Sequence, residues 1–294
     1  MLFFVSLLVD GMLAGAIYAL ISLAFVVVYK SSRMINFALG EWAMVGSRMT
    51  ATGLHAAGLG LTGAVAGACL GLVALSLLFN RIVVRRLAGR PLISLVMVTL
   101  GLGALIRGAA PLVFGAVPRA IPLPIPAEPL EMYGVLVSTE KLVAAVFAAG
   151  SIAVVAAFFR WSRTGLALRA ISDDQQVAMA MGIDVHQHAA VTWAIVGVLS
   201  VLSGTLWTFA SGGAFGVVII GLKVLPIVII GGLDSIPGVL IGAALVGVLE
   251  SLAAGYVDPL LGGGFSSIAS YLVLIGMLFA RPSGVFGRPA IERV

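Results

Sequence analysis

The side chains of this sequence that could carry out a reaction are few and poorly spaced for catalysis. Its histidines are His55, His186 and His188, and a separation of two residues places His186 and His188 on different faces of a helix. With Cys69 as the single cysteine, neither a zinc-binding motif nor a nucleophile activated by a histidine can be assembled. The sequence therefore argues against an enzyme, and no metal site is expected.

A phosphate-binding loop is also missing from the sequence. The pattern Gly-x-x-x-x-Gly-Lys-Ser/Thr supplies the backbone amides and the lysine that hold the phosphates of ATP. The nearest stretch begins at Gly216, but Leu222 separates Gly221 from Lys223 and a valine follows the lysine. We expect no cofactor in this chain, so any ATP and Mg²⁺ that drive its activity must bind to a partner.

The elements that carry the remaining polar residues are predicted to be apolar helices. Hydrophobic residues make up 61% of the 294 residues, charged residues make up 10%, and the mean hydropathy is +1.18. These values predict a polytopic membrane protein, and continuous apolar runs favour helices over a barrel. We predict one domain, residues 1–294, that folds as an all-α bundle of about eight to ten spanning or re-entrant helices. The runs lie near residues 2–29, 34–53, 59–79, 92–117, 139–159, 187–210, 217–232, 237–254 and 265–280.

The distribution of charge predicts how the helices are oriented. Loops rich in arginine and lysine lie in the cytoplasm, and here they are found near residues 30–33, 81–90, 160–186 and 281–293. The loop at about 117–138 carries glutamates and prolines against the single basic residue Arg119, so it is expected outside. The N-terminus is then outside and the C-terminus inside, provided that residues 231–238 turn back near the inner side or that residues 217–254 form a re-entrant hairpin. The basic loops account for the positive net charge, and no nucleic acid partner is expected.

The most polar stretch of the chain, residues 167–185, falls in the third basic loop. A capping box formed by Ser172 and Gln175 predicts the start of a short helix, with two aspartates in its first turn. Gly182 predicts the end of that helix. The sequence thus indicates a water-soluble helix in the middle of an apolar chain.

This loop helix has a small apolar stripe formed by Val177, Ala178 and Met181. Residues 173–185 contain no lysine or arginine, whereas a helix that lies on a lipid surface is usually basic on its polar face. Docking into a groove of another protein is therefore favoured. A short loop helix that packs on its own protein or on the headgroups is the alternative.

Four stretches of the sequence resemble a known family. The run RTGLALRAISDDQQVAMAMGID is similar to the cytoplasmic loop of permease subunits of bacterial ABC importers for branched-chain amino acids. Further stretches that resemble the same family follow its order along the chain. The four stretches are residues 15–46, 163–184, 221–250 and 281–289.

The resemblance implies a set of partners for the chain. These are a second, LivM-like permease subunit, two cytoplasmic subunits that bind ATP and Mg²⁺, and a periplasmic substrate-binding protein. It also implies a multi-pass position in the lipid of the bacterial inner membrane. The loop helix is similar to the coupling helix of such importers, which docks on the ATPase. By this analogy the contact with the ATPase is formed by Arg169, Asp173, Asp174, Ala178, Met181 and Gly182.

Broken helices are the candidates for the translocation path or its gate. Irregular backbone within a membrane is tolerated where it lines a cavity, and close packing of helices is the alternative explanation. Leu39 departs from the family, in which His or Gln is common at this position, so a polar role is not expected there. The candidate residues are Asn36, Gly40, Glu41, Gly231, Gly232, Pro237, Gly238 and Glu250.

Arg107 is a further candidate for the path, because it lies about 22 Å along its helix from the predicted inner edge. A charge at that depth needs a partner. Three partners stay open: the carboxylate of a substrate, a salt bridge to Glu250, or the outer headgroups reached by snorkelling.

The function that these features favour is that of an importer permease. The alternative is an ion-coupled secondary transporter of small polar solutes, which would normally need carboxylates within the membrane. Only Glu41, Glu250, Asp10 and Asp258 are placed to serve, mostly near helix ends. The resemblance implies branched-chain or related amino acids or small carboxylates as substrates, and the sequence does not choose among them.

Overall fold

The computed structural model describes residues 1–87, 90–115, 120–122, 128–132, 134–211, 217–281 and 284–286. Within these ranges the chain forms a bundle of α-helices with one short hairpin. A 3-10 turn, Val84–Leu87, follows α3, and a π-helical turn, Ala253–Val257, joins α10 to α11. The elements in chain order are α1 (Leu2–Ser32), α2 (Leu39–His55), α3 (Leu61–Ile82), α4 (Leu92–Phe114), β1 (Leu130–Met132), β2 (Val135–Val137), α5 (Thr139–Trp161), α6 (Arg163–Asp173), α7 (Gln175–Ala180), α8 (Val185–Ala210), α9 (Val217–Gly231), α10 (Ile236–Leu252), α11 (Asp258–Leu261) and α12 (Phe265–Ala280).

The helices lie where the apolar runs predict them. In the described part of the chain, six helices are long and apolar enough to cross a membrane, namely α1, α3, α4, α5, α8 and α10 with its extension. Helices α9 and α12 are apolar but shorter, with 15 and 16 residues. Helix α2 has 17 residues and corresponds to the second run. The prediction of a polytopic helical bundle is confirmed.

Helix α1 forms the centre of the bundle, and 78% of an apolar 18-residue stretch of this helix is buried. Glycines permit its close packing along α10. A Cβ atom on Gly11 would lie 2.6 Å from the Cα of Val248, and one on Gly15 would lie 2.8 Å from the carbonyl oxygen of Ala243. Helices α3, α4 and α5 are peripheral, since only 22%, 22% and 28% of the corresponding apolar stretches are buried. Their apolar outer faces are suited to lipid or to another membrane protein.

An aromatic cluster joins α2, α3 and α8 inside the bundle. The ring centroid of Trp42 lies 6.0 Å from that of Phe79 and 6.3 Å from that of Trp193, and Phe79 and Trp193 are 5.0 Å apart. Both tryptophans are among the largest fully buried side chains of the described residues. Tilted and edge-on contacts of this kind stabilise a core beyond the burial of apolar area.

The break between α1 and α2 lies later in the chain than the apolar runs predict. Arg33 ends α1 in a left-handed conformation with φ 53°, and α2 does not begin until Leu39 rather than near residue 34. The connecting segment is buried, since Asn36 is only 2% exposed. Gly40 and Glu41, which were expected to interrupt a helix, lie instead in the first turn of α2. The predicted irregular backbone exists, but it precedes these two residues.

The predicted outside loop contains a short hairpin that the all-α expectation did not include. Strands β1 and β2 pair antiparallel, with Leu130 opposite Val137 and Glu131 opposite Leu136. Val135 and Val137 are each 8% exposed, and β2 packs on α1. Alternation of buried and exposed residues in β2 explains why this segment forms a strand. Arg119 lies outside the described residues.

One end of the bundle carries α6 and α7 and is called the inner end below. A single cavity at this end is lined by residues from α1, α6, the α9–α10 connection and the C-terminal segment, including Lys30, Arg169, Asp234 and Phe286. Residues 231–238 therefore turn back at the same end as the predicted cytoplasmic loop, which is the first of the two alternatives considered above. The N–H of Val285 donates to the carbonyl oxygen of Ile230 at 2.8 Å and holds the C-terminal segment there. Arg288 and Arg293, which belong to the basic tail predicted to be cytoplasmic, lie outside the described residues.

Candidate functional site

The inner-end loop consists of two consecutive helices, each capped by a side chain. The Oγ of Ser162 accepts from the N–H of Gly165 at 2.8 Å and starts α6. The carboxylate of Asp174 accepts from the N–H groups of Gln176 and Val177, at 2.8 and 3.0 Å, and starts α7. The capping box predicted at Ser172 is therefore wrong. Ser172 is 8% exposed and lies in α6, which continues to Asp173 before the cap.

The end of α7 and the start of α8 are also defined by side-chain type. Gly182 has φ +83°, and the N–H of Ile183 donates to the carbonyl oxygen of Ala178 at 3.0 Å, as in a glycine C-cap. Asp184 then caps α8 by accepting from the N–H groups of His186 and Gln187. The Gln187 N–H, followed by that of His186, holds the pKa of Asp184 below its ordinary value. The predicted end of the loop helix at Gly182 is confirmed.

An exposed apolar surface covers α7. The exposed fractions of Val177, Met179 and Met181 are 59%, 51% and 78%. Ala178 was expected to contact the ATPase, but it is 3% exposed and packs inside the chain, so it has almost no surface to offer a partner. Met179 was missed because its spacing does not match the predicted stripe. In this article the exposed side chains of residues 177, 179 and 181 are called the α7 apolar surface.

A hydrogen bond and close helix packing hold α6, the helix that precedes the α7 apolar surface. The guanidinium of Arg33, at the end of α1, donates to the carbonyl oxygen of Ser172 at 2.6 Å. Gly165 lets α6 fold back on α5, because a Cβ there would lie 2.7 Å from the Cα of Phe159. The exposed residues Arg169 and Asp173 lie on α6 and line the cavity at the inner end. The segment that precedes α7 is therefore bonded to α1 and packed on α5.

A charge pair lies between α2 and α4. The guanidinium of Arg107 donates to the carboxylate of Glu41, which corrects Glu250 as the expected salt-bridge partner. Gly103 stands beside the carboxylate, and a Cβ there would be 3.3 Å from its carbon. The side chain of Glu41 is 5% exposed and that of Arg107 is 61% exposed. The pair is therefore open on the side of α4 that faces away from this chain.

The entrance to α2 is fixed by hydrogen bonds and by one close helix crossing. The Oδ1 of Asn36 accepts from the N–H of Ala38 at 3.0 Å, and the N–H of Phe37 donates to Thr99 of α4 at 3.3 Å. A Cβ on Gly40 would lie 2.8 Å from a carbonyl oxygen of α9, and Gly221 of α9 meets the Gly40 backbone in return. Gly40 thus serves close packing, which was the alternative to a path-lining role.

The glycines between α9 and α10 likewise serve packing and turning. Gly231 and Gly238 face each other so closely that a Cβ on either would meet the carbonyl oxygen of the other. Gly232 has φ +103°, a conformation that favours glycine. Pro237 is in the first turn of α10, which Ser235 caps by accepting from the N–H of Gly238 at 3.0 Å. These four candidates lie at the inner end, separate from the Glu41–Arg107 pair.

Glu250 belongs to a third place, a polar cluster in the middle of the bundle. Its Oε2 accepts from the Nζ of Lys223 at 2.7 Å and from the hydroxyl of Tyr18 at 2.9 Å. The Nζ of Lys223 also lies 5.2 Å from the centroid of the Tyr18 ring. Sequence reasoning missed Lys223 and Tyr18, because their partner is 27 and 232 positions away. The predicted path residues thus fall into three groups rather than one.

Among the residues that the structure describes, no group of three or more His, Cys, Asp or Glu side chains is placed to hold a metal ion.

Comparisons with known proteins identify a family and several similar chains. Residues 7–281 match the family described as "Branched-chain amino acid transport system / permease component". The chain is 26% identical to the high-affinity branched-chain amino acid transport system permease protein LivH of Salmonella typhimurium, with 100% of this chain and 98% of that protein covered. It is 28% identical to the corresponding permease protein BraD of Pseudomonas aeruginosa, with 98% and 97% covered. The structure of PsaBC from Streptococcus pneumoniae in complex with Fab aligns with a TM-score of 0.49 at 14% identity, over 94% of this chain and 92% of that one.

Proposed function

The chain belongs to the family of permease components of branched-chain amino acid transport systems, and we propose that it is the membrane-spanning permease of an ABC importer. In this role it forms the passage for branched-chain or related amino acids, or small carboxylates, that a periplasmic binding protein delivers. Its N-terminus is outside and its C-terminus is in the cytoplasm of a bacterial cell. A second, related permease subunit completes the passage.

The α7 apolar surface is the observation that carries this proposal. Three large apolar side chains on one short helix are exposed at the inner end, where a soluble loop would not normally place them. A helix of this kind fits a groove in a partner protein. We assign that groove to the cytoplasmic subunits that bind ATP and Mg²⁺, since this chain has no phosphate-binding loop of its own.

The charge pair of Glu41 and Arg107 supports a passage beside α2 and α4. An arginine with 61% of its side chain exposed is unfavourable in lipid at this depth. We propose that this face meets the second permease subunit and that the pair gates the passage between the two. Glu41 and Glu250 are both paired with cationic side chains, which argues against the alternative of an ion-coupled transporter.

Copurification with the ATP-binding subunit tests the proposed function. The tagged chain is co-expressed with the ATP-binding subunit of its own transport system, purified, and assayed for the bound subunit and for ATP hydrolysis. Met181→Arg places a charge on the α7 apolar surface and is expected to abolish both signals, because a buried unpaired charge is strongly unfavourable. Ala57→Arg is the matched control, since Ala57 is exposed in the α2–α3 loop, away from α7.

The result that would contradict the proposal is equal copurification of the ATP-binding subunit with Met181→Arg and Ala57→Arg. Retention of ATP hydrolysis stimulated by the permease in Met181→Arg would have the same meaning. Each variant is first checked for a single monodisperse species in detergent, so that loss of folding is not read as loss of contact.

A further inference from the structure

A cavity of about 340 Å³ opens in the bundle between α1, α5, α8 and α10. Two charge pairs belong to it. At one side the Nζ of Lys141 donates to the two carboxylate oxygens of Asp10 at 2.6 and 2.9 Å. The other pair is Lys223 and Glu250, of which Glu250 lines the cavity.

The two pairs differ in depth. Tyr18 lies fourteen positions before the inner end of α1, and Glu250 lies fourteen positions after the inner end of α10, so both are about 21 Å from that end. Asp10 lies two further turns along α1, about 12 Å beyond Tyr18. The side chains of Lys141 and Asp10 are 33% and 40% exposed, whereas those of Lys223 and Glu250 are 14% and 9% exposed. The cavity thus runs from an exposed pair to a buried pair.

Two buried polar atoms at this cavity lack a hydrogen-bond partner among the described residues. One is the Oε1 of Glu250, an acceptor, and the other is the Nε1 of Trp207, a donor. Both residues line the cavity. An unsatisfied buried polar group is unfavourable, and more so if it is charged, so such atoms call for a ligand or a water molecule. Here they offer one acceptor for a cation and one donor for an anion.

We propose that this cavity binds the headgroup of a zwitterionic α-amino acid. The ammonium of the solute donates to the free oxygen of Glu250, and its carboxylate accepts from the Trp207 indole. The four charged side chains sum to zero, and a zwitterion keeps that balance, whereas a lone amine or acid would leave a net charge within the membrane. The apolar residues Ala14 and Ile17 also line the cavity and receive an apolar side chain. This inference rests on the proposed function, because a permease must hold its solute in passage.

The aromatic pair gives the site its shape. The rings of Tyr18 and Trp207 stack with centroids 5.8 Å apart and planes inclined by 26°. The hydroxyl of Tyr18 is held by Glu250, so the stack fixes the indole relative to the carboxylate. A preorganised acceptor and donor bind a ligand with less loss of conformational freedom than mobile groups do.

Direct binding to the purified chain in lipid nanodiscs tests the proposal. Tritiated L-leucine is the probe, measured by scintillation proximity in the absence of any partner protein. We expect saturable binding that L-alanine displaces. The same binding should be displaced at least tenfold more weakly by 4-methylpentanoate and by 3-methylbutylamine, because each lacks one of the two charged groups.

Two variants and a control locate the binding to this cavity. Glu250→Gln removes the charge that receives the ammonium. Trp207→Phe removes the N–H together with part of the indole, while an aromatic ring remains to stack on Tyr18. Each is expected to weaken leucine binding at least tenfold. Glu131→Gln, an exposed carboxylate in the outside hairpin, is the control and should bind as the parent does. Trp207→Phe keeps the test decisive if Glu250→Gln fails to fold.

The proposal is overturned if millimolar leucine shows no saturable binding, if folded Trp207→Phe binds like the parent, or if 4-methylpentanoate competes as well as L-alanine. Failure of the proposed function is distinguishable from these outcomes. It appears as retained ATPase copurification in Met181→Arg, whereas an error in the site alone leaves that assay as expected and leucine binding unchanged in both cavity variants.

Discussion

Loss of the Arg107 guanidinium is expected to destabilise the protein far more than loss of the Glu41 carboxylate. The side chain of Glu41 is 5% exposed and that of Arg107 is 61% exposed. In Arg107→Met the buried carboxylate loses its cation, a change that costs about 3–5 kcal/mol for a fully buried pair. Because the arginine side of the pair is not buried within this chain, we expect the lower end, about 3 kcal/mol.

The reverse substitution has a different consequence. Glu41→Gln keeps a neutral hydrogen-bond acceptor beside an arginine that already reaches the surface, so its expected cost is below about 1 kcal/mol. The double variant Arg107→Met/Glu41→Gln contains no uncompensated buried charge. We expect it to recover most of the stability that Arg107→Met loses, because the two substitutions act on one interaction.

The assay is equilibrium unfolding by SDS in mixed micelles at neutral pH, applied to the parent, both single variants and the double variant. The four free energies of unfolding close a double-mutant cycle. The reasoning is refuted if Glu41→Gln loses as much stability as Arg107→Met. It is equally refuted if the double variant is no more stable than Arg107→Met, since the buried carboxylate would then not be the cause.

Two further predictions concern local backbone structure. Asp174→Ala removes the acceptor for the Gln176 and Val177 amides and is expected to cost α7 about 1 kcal/mol, seen as faster hydrogen exchange in α7, whereas Asp174→Asn should retain most protection. Equal exchange in both variants would contradict the assigned cap. Gly221→Leu forces a side chain into the Gly40 backbone and should lower the free energy of unfolding by about 1–3 kcal/mol, seen as a lower melting temperature. Gly67→Leu is the control, because a Cβ on Gly67 has no neighbour within 4 Å. Similar melting of the two variants would argue against the close crossing of α2 and α9.

The helices could be predicted from the sequence because a bilayer imposes a length on each apolar run. Each of the nine runs contains a helix, and even the short seventh run corresponds to α9. The boundary of α2 could not be predicted, because residues 34–38 are apolar enough to extend the run. Their irregular path is fixed by tertiary contacts such as the hydrogen bond from Phe37 to Thr99, which lies 62 positions away.

The inner-end loop illustrates how adjacent residues compete for one role. Ser172 and Asp174 are both good N-caps, and a glutamine three positions after the serine favoured the first. The structure selects Asp174, because the backbone of Ser172 is held by Arg33 and remains part of α6. Adjacent residues also differ in exposure within α7. Ala178 packs inside the chain, whereas the larger side chains of Val177 and Met179 are exposed.

The charge pairs could not be predicted, since pairing depends on which helices are neighbours. From the sequence, three partners stayed open for Arg107: the carboxylate of a substrate, Glu250, and the outer headgroups. The structure places α2 beside α4 and α9 beside α10. Arg107 therefore forms a salt bridge with Glu41, and Lys223 forms one with Glu250. Composition indicated that buried charges needed partners, and the packing of the bundle decided which ones.

Helix α1 connects the two ends of the proposed mechanism. Its inner end is bonded to the inner-end loop through Arg33 and Ser172, and its middle is bonded to Glu250 of the polar cavity through Tyr18. No proline interrupts the 31 residues between Leu2 and Ser32, so a displacement of one part moves the other. On the proposed function, a partner that docks on the α7 apolar surface is linked through Ser172 and Arg33 to a continuous helix that reaches the cavity about 21 Å away.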